Sequence, residues 1–235
     1  MFRNPFNKMF FNAARKNLEK KTFTPSNSFT YKPKFHFSSV DRFLNRLQRP
    51  LYQYLIGANV LIYFAWNTGL VSKRFLYNNF TLSLDTINQG RFHTFITYSF
   101  SHISFMHLFF NMFTLYFFGR FTEASFGAKA LLQLYLTGAL GGAIFIHSSN
   151  KQYQSHAPTI GASSATAAIL ANYIFTFPNQ QIFLFFLPVP AWIVGLLLFG
   201  QSLMTYDGRG GMSGSGHLGG LIGGLLFFLA KRGKF

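Results

Sequence analysis

Apolar and polar positions divide the chain into a polar, basic start and six apolar segments. Each segment approaches the roughly 20 residues that a helix needs to cross a bilayer. Residues 51–70 form a clean, uncharged stretch. Residues 100–119 are apolar but enclose His102, His107 and Asn111, and residues 130–149 carry Gly138, Gly141 and Gly142. Residues 159–177 are rich in Ala and Ser. Residues 181–201 hold Pro188 and Pro190, so that helix is expected to kink or to begin late. Residues 213–230 are rich in Gly and end at Lys231 and Arg232. The long connection over residues 71–92 holds short amphipathic pieces around Phe80, Leu82 and Leu84. The pattern predicts an all-α membrane protein: a six-transmembrane-helix bundle over residues 46–235, preceded by a leader over residues 1–45.

Charge sharpens this picture. Of 235 residues, 11% are charged, against about 25% in an ordinary soluble domain. The 21 Lys and Arg against five acids give a formal net charge of +16, a balance that in a soluble protein suggests nucleic acid. The distribution argues against that partner. Eleven of the bases lie in the first fifty residues, and residues 152–206 contain no charged side chain. A soluble surface needs charge for solvation, whereas lipid does not. The leader pairs Phe2, Phe6, Met9, Phe10 and Ala13 with Arg3, Lys8, Arg15 and Lys16, the composition of a mitochondrial or plastid import helix. The alternative is a disordered basic tail lying on anionic lipid. With six spans, one side of the membrane carries 16 bases and the other five. That bias places both termini inside, on the matrix side for a mitochondrial inner membrane.

Composition also removes whole classes of chemistry. The absence of cysteine excludes disulfides, thiolate metal sites and cysteine nucleophiles. The acids Glu19, Asp41, Asp85, Glu123 and Asp207 are scattered, which leaves paired-carboxylate and calcium-loop chemistry without support. No metal and no cofactor is expected.

Polar groups inside a span are costly and need a partner or a wet cavity. The candidates are His107 and Asn111, four residues apart on one helix face, Ser163 with Ser164, and His217. A serine becomes a nucleophile when a base lies within about 2.6–3.2 Å of its hydroxyl. Helix axes usually stand about 8–10 Å apart, so only small residues let two helices share such a pair. Both helices supply them: Gly161, Ala162, Ala165 and Ala168 around the serine, and the stripe Gly216, Gly220, Gly224 around His217. Ser163 is expected one turn into a helix opened by Thr159 and Gly161, where its N–H lacks an intrahelical partner and can face an oxyanion. His107 and Asn111 can add two further donors. No acid is placed to orient His217, so the expected unit is a Ser–His dyad.

These residues resemble the motifs of the rhomboid intramembrane serine proteases. Gly161-Ala-Ser-Ser164 resembles their nucleophile motif, His107-Leu-Phe-Phe-Asn111 the HxxxN motif of their second core helix, and His217-Leu-Gly-Gly220 the segment of their last core helix. Within the family the chain is most similar to the mitochondrial, presenilin-associated rhomboid-like group. The resemblance implies a six-helix core around a water-filled cavity, Ser163 as nucleophile, His217 as general base and acid, and His107 and Asn111 as oxyanion donors. It implies cleavage of peptide bonds in or beside transmembrane segments of other proteins. It also casts Glu123, followed by Gly127, as the acid that braces the first long loop; the alternative is a helix-end charge. Ser164 stands where members usually have Gly, so its hydroxymethyl either crowds the oxyanion site or bonds back within its helix. Ala167 stands where several carry a Tyr that stacks on the histidine, and the Trp-Arg pair of the bacterial first loop is absent.

Ser164 and Ala167 motivate a rival reading, a non-catalytic rhomboid-like protein that holds membrane helices or serves as a subunit of an inner-membrane complex. A transporter reading rests on the intramembrane histidines and glycine-broken helices but finds no carboxylate well inside a span. The expected partners are transmembrane protein substrates, the bilayer and membrane complex partners.

Overall fold

A computed structural model of the chain describes residues 38–184, 186–208 and 213–231. Residues 1–37 of the expected leader and the tail over residues 232–235, which carry much of the charge bias, lie outside the described residues, as does Arg209. The compact unit begins at Ser38. Helix α1 (Ser38–Asn45) belongs to it, and its Asp41 accepts an ion-pair hydrogen bond from Lys129 at 2.9 Å.

Helix α2 (Leu51–Thr68) fills the first apolar segment and stops at Gly69, whose φ of 73° is the left-handed conformation that ends helices. It follows Pro50, which has no side-chain oxygen to cap the free N–H groups of a first turn. Glu123 does that from far along the chain. Its carboxylate accepts from the N–H of Leu51 at 2.7 Å and of Tyr52 at 2.9 Å. The connection that follows is built from short helices α3 (Lys73–Phe80), α4 (Leu84–Asn88) and α5 (Thr94–Thr97). A capping box between Ser83 and Thr86 starts α4.

The second apolar segment begins as a helix later than its hydropathy suggests. Residues 98–104 are a 3-10 turn and loop, and helix α6 (Phe105–Thr114) passes through a π turn (Leu115–Gly119) into α7 (Arg120–Phe126). Gly127, at φ 86°, breaks the chain into helix α8 (Ala128–Gln152). Among the described residues α8 is the one helix long and apolar enough to cross a membrane by length and composition. Helix α9 (Ser163–Thr176) starts four residues after the expected Thr159, which instead pairs with Leu82 in an isolated antiparallel bridge.

The fifth segment departs most from expectation. Its first ten residues form an antiparallel hairpin, β1 (Gln181–Leu184) against β2 (Leu187–Pro190), and helix α10 (Ala191–Met204) begins only afterwards. Pro188 and Pro190 push the residues before them into extended backbone and donate no N–H, so a two-stranded edge suits them where a helix does not. Helix α11 (Gly214–Lys231) completes the chain.

Helical runs among the described residues include α2, the run 105–126, α8, α9, α10 and α11, of which α9 and α10 have 14 residues each, short of the expected spans. Helices α8, α9 and α11 form the tightest packing, with Leu131, Leu134, Tyr135, Ala139 and Ala143 fully buried on α8. Their contacts are backbone to backbone. A β-carbon added at Gly220 would fall inside the carbonyl oxygen of Ser164, and one at Gly224 inside that of Ala168. One at Gly141 would lie 2.6 Å from the Gly219 carbonyl oxygen, and one at Gly138 2.5 Å from Ala168 Cβ. Outward faces are apolar instead of charged: Phe105, Phe109, Phe113 and Phe117 line one side of the 105–126 run, and Leu196, Leu197, Phe199 and Leu203 lie on α10.

The Gly220→Ala variant is expected to lose about 1–3 kcal/mol of stability, the usual cost of overpacking, because backbone and not a movable side chain blocks the methyl. Gly57→Ala on α2, which meets nothing within 4 Å, is expected to be neutral or to gain up to about 1 kcal/mol of helix propensity. Thermal unfolding of both variants in the same detergent checks the contrast.

Candidate active site

One cavity of about 890 Å³ collects the polar candidates of three helices. His107 and Asn111 reach it from α6, Ser163 from the start of α9, and His217 from the first turn of α11. The helix packing described above makes this possible, since glycine contacts bring the N-terminal ends of α9 and α11 together.

Ser163 is the first residue of α9, not one turn inside it. The turn before it depends on Gly161, whose φ of 123° lies outside the range of side-chain-bearing residues. A β-carbon there would also stand 2.5 Å from Cε1 of His107, so the absent side chain is what lets the imidazole approach the turn. The Gly161 N–H donates to the Tyr98 carbonyl at 3.0 Å, and the Ala162 N–H to Nε2 of His102 at 3.3 Å. The Ser163 N–H has no partner among the described residues, as expected of a first-turn donor.

Asn111 is held at both ends of its amide. Its Nδ2 donates to the His107 carbonyl at 2.8 Å, and its Oδ1 accepts from the Thr166 hydroxyl at 3.0 Å. One N–H of the amide remains for a ligand. Thr166 also borders the cavity, and sequence reasoning missed it; its place three residues after Ser163, on the same helix face, was the available signal. Ala167 borders the cavity too, so the space that a stacking tyrosine would fill stays open.

Ser164 does not crowd this site. It is 1% exposed, does not line the cavity, and turns its side chain into the junction of α8 and α11. A β-carbon at Gly142 would collide with the Ser164 side chain and lie 2.7 Å from the Tyr98 hydroxyl, and one at Gly216 would lie 3.0 Å from Ser164 Oγ. Two glycines therefore make room for the hydroxymethyl group. Gly220 and Gly224 let the backbones of α9 and α11 touch farther along.

Ser163 and His217 share the cavity, and no hydrogen bond joins them among the described residues. Asp207 is an acid at the cavity wall. Glu123 is not among the residues lining the cavity: it caps α2 through the Leu51 and Tyr52 N–H groups, and no hydrogen bond joins it to the 71–92 connection among the described residues.

The rhomboid domain family matches residues 89–233, which include every cavity residue named above. RHOMBOID-like protein 12, mitochondrial, of Arabidopsis thaliana is 38% identical over 198 residues, 77% of this chain and 58% of that protein. Rhomboid protein 1, mitochondrial, of Saccharomyces cerevisiae is 30% identical over 178 residues, 74% of this chain and 51% of that protein. Rhomboid protease GluP of Bacillus subtilis is 28% identical over 188 residues, 77% of this chain and 34% of that protein. The chain spans between a third and three fifths of the length of these relatives.

Stability should report the Ser164 accommodation directly. Gly142→Ala is expected to be destabilising in the natural background and less so in a Ser164→Gly background, where the Tyr98 hydroxyl at 2.7 Å still opposes the methyl. The coupling between the two positions should be on the order of 1 kcal/mol, as for side chains that share a packing site. A double-mutant cycle read by thermal unfolding checks it.

Proposed function

This chain belongs to the rhomboid family, and on that footing we propose that it is an intramembrane serine endopeptidase acting on transmembrane segments of other proteins. The observation that carries the reading is the common cavity of Ser163, His217, His107 and Asn111, assembled from three helices. In this reading Oγ of Ser163 attacks the scissile carbonyl while His217 takes the hydroxyl proton. The oxyanion accepts hydrogen bonds from the Ser163 N–H, the remaining Asn111 N–H and His107. His217 then gives its proton to the leaving amine. The acyl ester left on Ser163 is hydrolysed by a water that His217 deprotonates, which restores the free hydroxyl. The missing Ser163–His217 hydrogen bond is compatible with this chemistry, because such contacts are commonly long before substrate closes the site.

The setting follows the same reading. Six helices cross the mitochondrial inner membrane with both termini on the matrix side, and the leader directs import. The names of the Arabidopsis and yeast relatives support the organelle, and the 16-to-five charge bias supports the orientation. The same lack of a Ser163–His217 bond favours one competing reading, a non-catalytic subunit that holds membrane helices.

A fluorophosphonate probe separates the two, since labelling at Ser163 requires an activated hydroxyl. The protease should label in the purified full chain and lose labelling in Ser163→Ala. Ser163→Ala and His217→Ala should each lower kcat for a model transmembrane substrate by at least about 1,000-fold, and the double variant should fall no further, because the pair acts as a unit. Equal cleavage by wild type and Ser163→Ala would leave only the binding role.

A further inference from the structure

His102 is fully buried, carries a titratable ring and has no part in the chemistry above. It stands in the loop between the Tyr98–Phe100 turn and α6. That loop grips the turn before Ser163 at two successive points: the Tyr98 carbonyl takes the Gly161 N–H, and Nε2 of His102 takes the Ala162 N–H. The next N–H, that of Ser163, is left over. The His102 ring also stands edge-on against His107, with centroids 4.9 Å apart and planes at 66°. His102 thus touches both the backbone that presents Ser163 and the imidazole that faces it.

The tautomer follows from the bond. An Nε2 that accepts carries no proton, so the proton of the neutral ring is on Nδ1. Nδ1 is buried and has no partner among the described residues. An unmatched buried donor is a cost to stability that leucine would avoid.

Resting on the protease reading, we propose that His102 is a positioning residue: by accepting the Ala162 N–H it fixes the 161–163 turn so that the Ser163 N–H stays free to face the oxyanion. Without that acceptor the Ala162 peptide can rotate, and rotation re-aims the N–H that follows. Errors of about 1 Å in such a site cost on the order of 100-fold in rate.

The test compares the full chain in detergent with His102→Leu, which keeps volume and removes the acceptor, and His102→Gln, whose Oε1 can stand near the place of Nε2. Residue-resolved amide exchange should show Ala162 protected in wild type and His102→Gln and exposed in His102→Leu. On a model transmembrane substrate His102→Leu should lose about 100-fold in kcat with KM unchanged, and His102→Gln should recover most of the loss. Ala162 exchanging as fast in wild type as in His102→Leu overturns the assignment even if neither variant folds well enough to assay. So does His102→Leu cleaving as fast as wild type while Ser163→Ala is inactive. Cleavage by Ser163→Ala at the wild-type rate overturns the protease reading and this assignment with it, an outcome distinct from the other two.

Discussion

The close approach of α11 to the backbones of α8 and α9 is the contact on which the rest depends. Where Gly220 meets the Ser164 carbonyl and Gly219 meets Gly141, no side chain separates the helices. In lipid, burial of apolar side chains drives association weakly, because acyl chains are as apolar as leucine. What remains is dispersion and weak Cα–H···O contact, both of which grow steeply at short distance. A stripe of glycines therefore does more than permit packing. It fixes which helices are neighbours and at what height they meet, and it sets the start of α9 beside the start of α11.

A second set of contacts holds the loop over residues 98–102 rigid against that trio. Tyr98 donates to the Ala139 carbonyl at 2.9 Å, Tyr135 to the Ser99 carbonyl at 2.8 Å, and Trp66 Nε1 to the Ser101 hydroxyl at 2.5 Å. Two of the bonds run to α8 and one to α2, and each satisfies a polar group that burial would otherwise penalise. The loop that grips the turn before Ser163 is thus anchored to α8 and α2, so the turn inherits its position from the core and not from the cavity.

The helices were legible because their lengths and apolar runs are local properties, and the two ends of α2 and α8 fall within a few residues of expectation. The hairpin at Gln181–Pro190 was not. Prolines in an apolar run read equally as a helix kink or an edge strand, and only the register of Ile182 with Val189 decides between them. The four polar residues of the site were legible as types and spacings, because so few polar groups interrupt the apolar segments. Their immediate neighbours were not. The place of Ser164 depends on Gly142 and Gly216, and the cap on α2 depends on Glu123, 72 residues away from Leu51. Such pairings are set by helix register, which hydropathy does not encode.

Ser164 shows how a departure from a family pattern should be weighed. A side chain after the nucleophile harms the site only if it points into the cavity. Here the first turn of α9 directs successive residues about 100° apart, so Ser163 and Thr166 face the cavity while Ser164 and Ala165 face α8 and α11. The relevant question is therefore whether the opposite face has space, and Gly142 and Gly216 supply it. Ala167 poses the converse case, since it does face the cavity and leaves His217 without an aromatic support. Under the protease reading, orientation of that imidazole then falls to its helix and to the bound substrate. The backbone of the Ser163 turn, by contrast, is set before substrate arrives.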